Sequence, residues 1–221
     1  PTKRHPAMTV FSKQFDTNLR LAAGAAVILL GAGGAIAAYL FHPRQLDTGY
    51  TPVQPVPYSH KLHAGNLGMD CLYCHTTVTQ SNFAAVPMTE ICMNCHVRVK
   101  EKSPKLQPVR DSYASGKPVP WIKVHRLPDY VYFNHRAHVT AGVSCVSCHG
   151  RVDEMTEVRQ VQPLSMAWCL DCHRNPAPHV RPPELVTKLD WQPEGDPAVL
   201  GAKLIREKGI HPPDNCSACH R

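Results

Sequence analysis

All ten cysteines of this 221-residue chain fall into five copies of one pattern, Cys-x-x-Cys-His. The copies are Cys71/Cys74/His75, Cys92/Cys95/His96, Cys145/Cys148/His149, Cys169/Cys172/His173 and Cys216/Cys219/His220. Any fold must therefore use every thiol in pairs, with an imidazole beside each pair. A disulfide scaffold has no need of that histidine. Structural zinc commonly takes two Cys pairs per ion, which leaves one of five pairs unmatched and the histidines idle. A redox Cys-x-x-Cys would be expected once. Attachment of a porphyrin uses all three residues: two thiols for the vinyl groups and the imidazole for the iron. The sequence thus predicts five covalently bound c-type haems, with the ten cysteines as attachment points and His75, His96, His149, His173 and His220 as iron ligands.

That reading changes what the composition means. A formal charge of +7 and a pI near 9.0 would ordinarily point to nucleic acid or anionic lipid. Five haems bring ten propionate charges, which takes +7 to about −3, so the basic residues read as propionate counter-charges and no nucleic-acid partner is expected. With 21 prolines and only 7% aromatics, the chain is poorly supplied for a core built of residues. Behind residue 41 about 36 residues remain per haem, so the porphyrins are expected to be the core. The predicted fold is mostly irregular coil with short α-helices wrapped around five haems, with folding and haem binding coupled.

Residues 1–20 are polar and basic, and Leu21 to Phe41 runs without a charge. Such a run matches one bilayer crossing as a helix. Lys3, Arg4, Lys13 and Arg20 ahead of it place the N-terminus in the cytoplasm and the haem-bearing part in the periplasm. Ala35-Ile36-Ala37 has the form of a signal-peptide cleavage site, but the apolar run exceeds the usual signal length, and a retained anchor in membrane lipid is expected. Gly31/Ala35 and Gly34/Ala38 form a small-residue face suited to docking on other membrane subunits. Residues 42–57 are proline-rich and read as a stiff spacer.

The periplasmic domain, 58–221, contains a repeat. Residues 58–96 read YSHKLH, then CLYCH, then VPMTEICMNCH; residues 133–173 read FNHRAH, then CVSCH, then QPLSMAWCLDCH. Matching histidines stand 75, 74 and 77 positions apart, which marks one unit used twice. Each unit brings two motifs and one His-x-x-His pair, whose spacing sets both rings on one side of a helical turn with diverging tips. The fifth motif, 216–220, follows a second proline-rich stretch with one short helix expected at 198–208.

Five irons with two protein ligands each need ten axial ligands. His60, His63, His135 and His138 are the expected distal ligands for four of them. His125, in a segment with two aromatics, is taken for the fifth, with His211, His179 and the methionines Met88 and Met166 as alternatives. Irons ligated on both sides offer no place to a substrate, so these haems would carry electrons and no catalytic residues are expected. The sequence has no phosphate loop, nucleophile elbow or HExxH.

The His-x-x-His pair ahead of Cys-x-x-Cys-His resembles multihaem cytochromes c of class III and their periplasmic relatives. The succession QPVPYSHKLHAGNLGMDCLYCH, VPMTEICMNCH, WIKVHRLPDYVYFNHRAH, GVSCVSCHG, SMAWCLDCHR and CSACH is similar to the pentahaem cytochrome c subunits of alternative complex III. That resemblance implies a quinol-oxidising membrane complex with integral membrane and iron–sulfur subunits as partners. It also implies delivery of electrons to a soluble periplasmic carrier, a cytochrome c or a small copper protein, in respiration or photosynthesis. The rival is a stand-alone membrane-anchored quinol dehydrogenase feeding a periplasmic reductase.

Overall fold

A computed structural model describes residues 12–42 and 48–220. The chain forms two units, 1–46 and 47–221. Within the first, helix α1 spans Lys13–Leu40, opened by the Ser12 hydroxyl accepting from the Phe15 amide and steadied by an Arg20–Asp16 pair at 2.9 Å. Its 28 residues rise about 42 Å, and it is long and apolar enough to cross a membrane. The helix begins ahead of the uncharged run, because Lys13 to Arg20 mix polar side chains with Phe15 and Leu19, which a helix tolerates and a bilayer interface accepts. Lys3, Arg4 and Arg44, on which part of the charge asymmetry rests, lie outside the described residues.

The second unit is a succession of short helices: α2, a π-wound turn at Lys61–Asn66; α3, Cys71–Cys74; α4, Thr89–His96; α5, Gln107–Ser115; α6, His135–Ala141; α7, Cys145–His149; α8, Met166–Arg174; α9, Pro197–Lys208; and α10, Cys216–Cys219. Among the described residues there is no strand, only isolated bridges at Val131–His220 and Val143–Val180. Buried apolar side chains among them are few, namely Val56, Val78, Val109, Met155, Val180, Val186 and Leu189. Seven such side chains, spread between residues 56 and 189, are a small residue-built core among the described residues.

Every motif lies on a helix, and four of the five helices start at or next to the motif for a local reason. Asp70, Ser144, Ser165 and Asn215 each accept a hydrogen bond from an amide in the first turn, so side-chain oxygens cap α3, α7, α8 and α10. Capping makes the Cys-x-x-Cys turn helical, which sets the two sulfurs on one face. Residues 49–56 are pinned to the second unit: the Gly49 amide donates to Gln160 O at 2.7 Å, the Gln160 amide to Tyr50 O, and Gln54 exchanges two bonds with Ile122. The expected spacer is therefore bound along this part of its length, while residues 43–47 lie outside the described ones.

Candidate functional site

The two His-x-x-His turns are built alike, although α2 is π-wound and α6 is α-wound. His63 Nδ1 is 2.9 Å from Ser59 O and His138 Nδ1 is 2.8 Å from Asn134 O, in each case the carbonyl four residues back. Tyr58 stacks on His63 at 4.5 Å and meets His60 edge-on at 4.8 Å. Phe133 stacks on His138 at 4.5 Å and meets His135 edge-on at 4.7 Å. The aromatic two positions before each first histidine thus wedges the pair apart. The repeat already displayed it, as Tyr58 and Phe133, yet a side chain that only orients a ligand carries no ligand chemistry to attract notice.

Further imidazoles are fixed the same way. His75 Nδ1 lies 3.1 Å from Ala85 O, His96 Nδ1 2.8 Å from Val99 O, His135 Nδ1 3.0 Å from Asn82 O and His173 Nδ1 2.6 Å from Pro213 O. A ring that donates from Nδ1 to a carbonyl holds Nε2 unprotonated and aimed elsewhere, which is the usual preparation of a metal-ligating histidine. Burial reinforces it, pushing His149 down to about 3 and His60 to about 4, with neighbouring imidazoles adding to both. His138 and His125 are lowered by burial as well.

The rings then meet in pairs. Centroids are 6.2 Å apart for His63–His96, 5.9 Å for His138–His173 and 6.4 Å, with planes 12° apart, for His135–His149. Two imidazoles sharing one metal at about 2 Å per bond have centroids roughly 6 Å apart. All three pairs join a motif histidine to a histidine of a His-x-x-His turn. For the fourth such combination, His75 is the charge that most affects His60. His60 Nδ1 and His125 Nε2 are buried and have no hydrogen-bond partner. Among the described residues no three His, Cys, Asp or Glu converge on a point that could hold a bare metal ion. Protein ligands arriving in twos, with paired thiols alongside, fit a metal whose other four donors come from a porphyrin.

The ten thiols are not equally enclosed. Cys71, Cys74, Cys92, Cys145, Cys148, Cys169, Cys172 and Cys219 are half-buried, whereas Cys95 and Cys216 are exposed. Cys95 and Cys216 are thus the two attachment points open to water. In these two motifs the other sulfur is the one with a neighbour, Cys92 beside Cys74 and Cys219 beside Cys169. A thioether forms at the porphyrin's edge, which leaves an exposed sulfur a fit partner for it.

His125, expected opposite His220, has its ring 4.3 Å from that of His149 at 80°. The ring facing His220 is that of Tyr130, at 5.7 Å. Of the alternatives, His179, His211, Met88 and Met166 are exposed.

Comparison with known proteins agrees with this chemistry. Residues 131–221, which carry the second His-x-x-His turn and the last three motifs, match the family described as cytochrome c7 and related cytochrome c. A stretch of 97 residues is 38% identical to the multiheme cytochrome c subunit of menaquinone reductase from Nitratidesulfovibrio vulgaris, covering 43% of this chain and 45% of that protein. The chain thus spans less than half the length of the curated relative it matches. Similarity on both counts is to multihaem cytochromes c, in which the haem is held covalently.

Proposed function

We propose that the chain is a membrane-anchored pentahaem c-type cytochrome that conducts electrons within a quinol:acceptor oxidoreductase of the alternative complex III kind. The observation that carries this reading is the set of three imidazole pairs, each at the separation of two ligands on one iron. The axial pairs are His60 with His75, His63 with His96, His135 with His149 and His138 with His173. His220 holds the fifth haem from the motif side. The tenth place is proposed for His125, whose Nε2 is buried and unbonded while the other candidates are exposed, and this requires its ring to turn from His149, 4.3 Å away, toward His220, which Tyr130 faces in this structure.

Haem iron, alternating between ferric and ferrous, supplies one-electron chemistry when bound. The protein's part is to keep each imidazole neutral and oriented, to occupy both axial sides and so exclude substrate, and to hold successive motifs close. The chain is the electron-transfer subunit, and quinol oxidation belongs to its neighbours. Those neighbours are integral membrane and iron–sulfur subunits, and the acceptor is a soluble periplasmic carrier, a cytochrome c or a copper protein. The relative in N. vulgaris is a subunit of a menaquinone reductase, which supports the link to quinone. Helix α1 is assigned as the anchor, N-terminus in the cytoplasm and haem domain in the periplasm.

Purified holoprotein tests this directly. Mass and haem analysis should give five haems per chain, the spectrum should be low-spin throughout, and the reduced protein should not bind carbon monoxide. His125→Ala should make one haem of five high-spin and carbon monoxide-reactive. A colourless protein, or substantial high-spin haem before mutation, refutes the reading. Quinol oxidation by the isolated chain would favour the stand-alone dehydrogenase.

A further inference from the structure

We propose that the five motifs stand along the fold in the order second, first, third, fourth, fifth, so that α4 and α10 form the two ends of the electron path. This deepens the carrier reading and rests on it, since it presumes a haem at each motif.

Sequence order would run first to fifth. The contacts run differently. Between second and first motifs, Asn94 Nδ2 donates to Tyr73 Oη at 3.0 Å, and the Cys92 and Cys74 thiols are neighbours. The turn α2 spans the same gap, with His63 opposite His96 and His60 beside His75.

First and third motifs meet over residues 186–187. The Cys145 amide donates to Val186 O at 3.3 Å, as does the buried Ser144 hydroxyl at 2.6 Å. From the other side Thr187 Oγ1 donates to Asp70 Oδ2 at 2.9 Å, and Cys71 Sγ lies 3.9 Å from Thr187 O. The Cys71 and Cys145 thiols are neighbours there.

Turn α6 joins third to fourth, through His135 opposite His149 and His138 opposite His173. Here too the sulfurs are neighbours, Cys148 with Cys172 and Cys169. Fourth meets fifth where His173 Nδ1 donates to Pro213 O at 2.6 Å, just ahead of α10, and where Cys169 feels Cys219.

These contacts have one explanation. The two repeat units are joined through their first motifs, with their second motifs outward, and the fifth motif extends the outer end of the second unit. Exposure agrees, for the two exposed thiols, Cys95 and Cys216, belong to the two end motifs.

The test is a cryo-electron microscopy map of the full haem-loaded chain in its complex, at a resolution that traces the thioether links. The nearest irons to that of Cys71/Cys74/His75 should belong to the second and third motifs, and the end irons to the second and fifth. A file with the second motif beside the third, or the fifth in the interior, overturns the order and leaves the carrier reading standing. Irons too scattered for any file sink the carrier reading itself. Electron paramagnetic resonance gives an independent measure. Removing the fifth attachment (Cys216→Ala with Cys219→Ala) should abolish one spin-coupled pair of haems. Removing the first (Cys71→Ala with Cys74→Ala) should abolish two. Equal losses from the two variants contradict the order.

Discussion

Gly65 lies in the π-wound turn between the two ligand histidines and the first motif, against the backbone of the 3₁₀ turn Val152–Glu154. A Cβ built on it would fall onto Asp153 O, deep inside contact distance. Unlike Gly68, Gly65 does not have a positive φ, so its backbone would accept alanine without strain. Helix propensity alone would even favour Gly65→Ala, by about 1 kcal/mol. The structure reverses the sign. Both partners are backbone, held by the Lys61 amide donating to Met155 O at 2.9 Å and by Arg151 gripping Asp153 through two nitrogens, so neither side can rotate out of the way. Opening the gap to ordinary contact needs about 1 Å of separation, and overpacking of this kind costs about 1–3 kcal/mol. At about 2–4 °C per kcal/mol for a domain of this size, the holoprotein should melt several degrees lower. Because His63 is two residues away, the same displacement should loosen its iron bond and raise a high-spin band, whereas Gly33→Ala in α1, with open space at Cβ, should change neither. Melting followed by absorbance at the Soret band, with the spectrum at room temperature, reads both. A Gly65→Ala protein as stable as wild type, with an unchanged spectrum, would refute the packing of the first His-x-x-His turn on 152–154.

Other outcomes follow from the same geometry. His63→Met should keep one thioether-ligated haem low-spin and raise a single midpoint potential, by on the order of 0.1 V within the roughly 0.8 V that axial ligands span, in a redox titration of all five. Ser144→Ala removes both a cap and a bond to Val186 O from a side chain only 1% exposed, and should cost about 1–2 kcal/mol, seen as a lower melting temperature. Arg151 holds the Asp153 carboxyl below its usual range by hydrogen bonding. The carboxylate's contribution is therefore present above the unfolded value near 4 and lost as pH falls through the lower folded one. Asp153→Asn should flatten the acid limb of the stability profile, by less than about 1 kcal/mol because the pair is open to water.

The cofactor chemistry was readable from residue types and spacing, because covalent attachment of a haem demands three specific side chains within five positions. The repeat was legible for the same reason: motifs and paired histidines recur at nearly constant offsets. So were the near absence of a residue-built core and the apolar helix, which follow from composition and from run length. Spacing could not say which imidazole faces which, since His60 to His75 and His63 to His96 span loops whose course depends on backbone carbonyls such as Ala85 O and Val99 O. It could not tell the exposed Cys95 from the half-buried Cys92 of the same motif, because which sulfur meets a neighbour depends on the motif packed alongside. Nor could it place His125 against His149, or bring Val186 and Thr187 between two motifs more than seventy residues apart in sequence. A covalent motif is local and is written in consecutive residues. The adjacency of motifs is set by long-range hydrogen bonds and ring contacts that no local pattern encodes, and only the tertiary structure decides it.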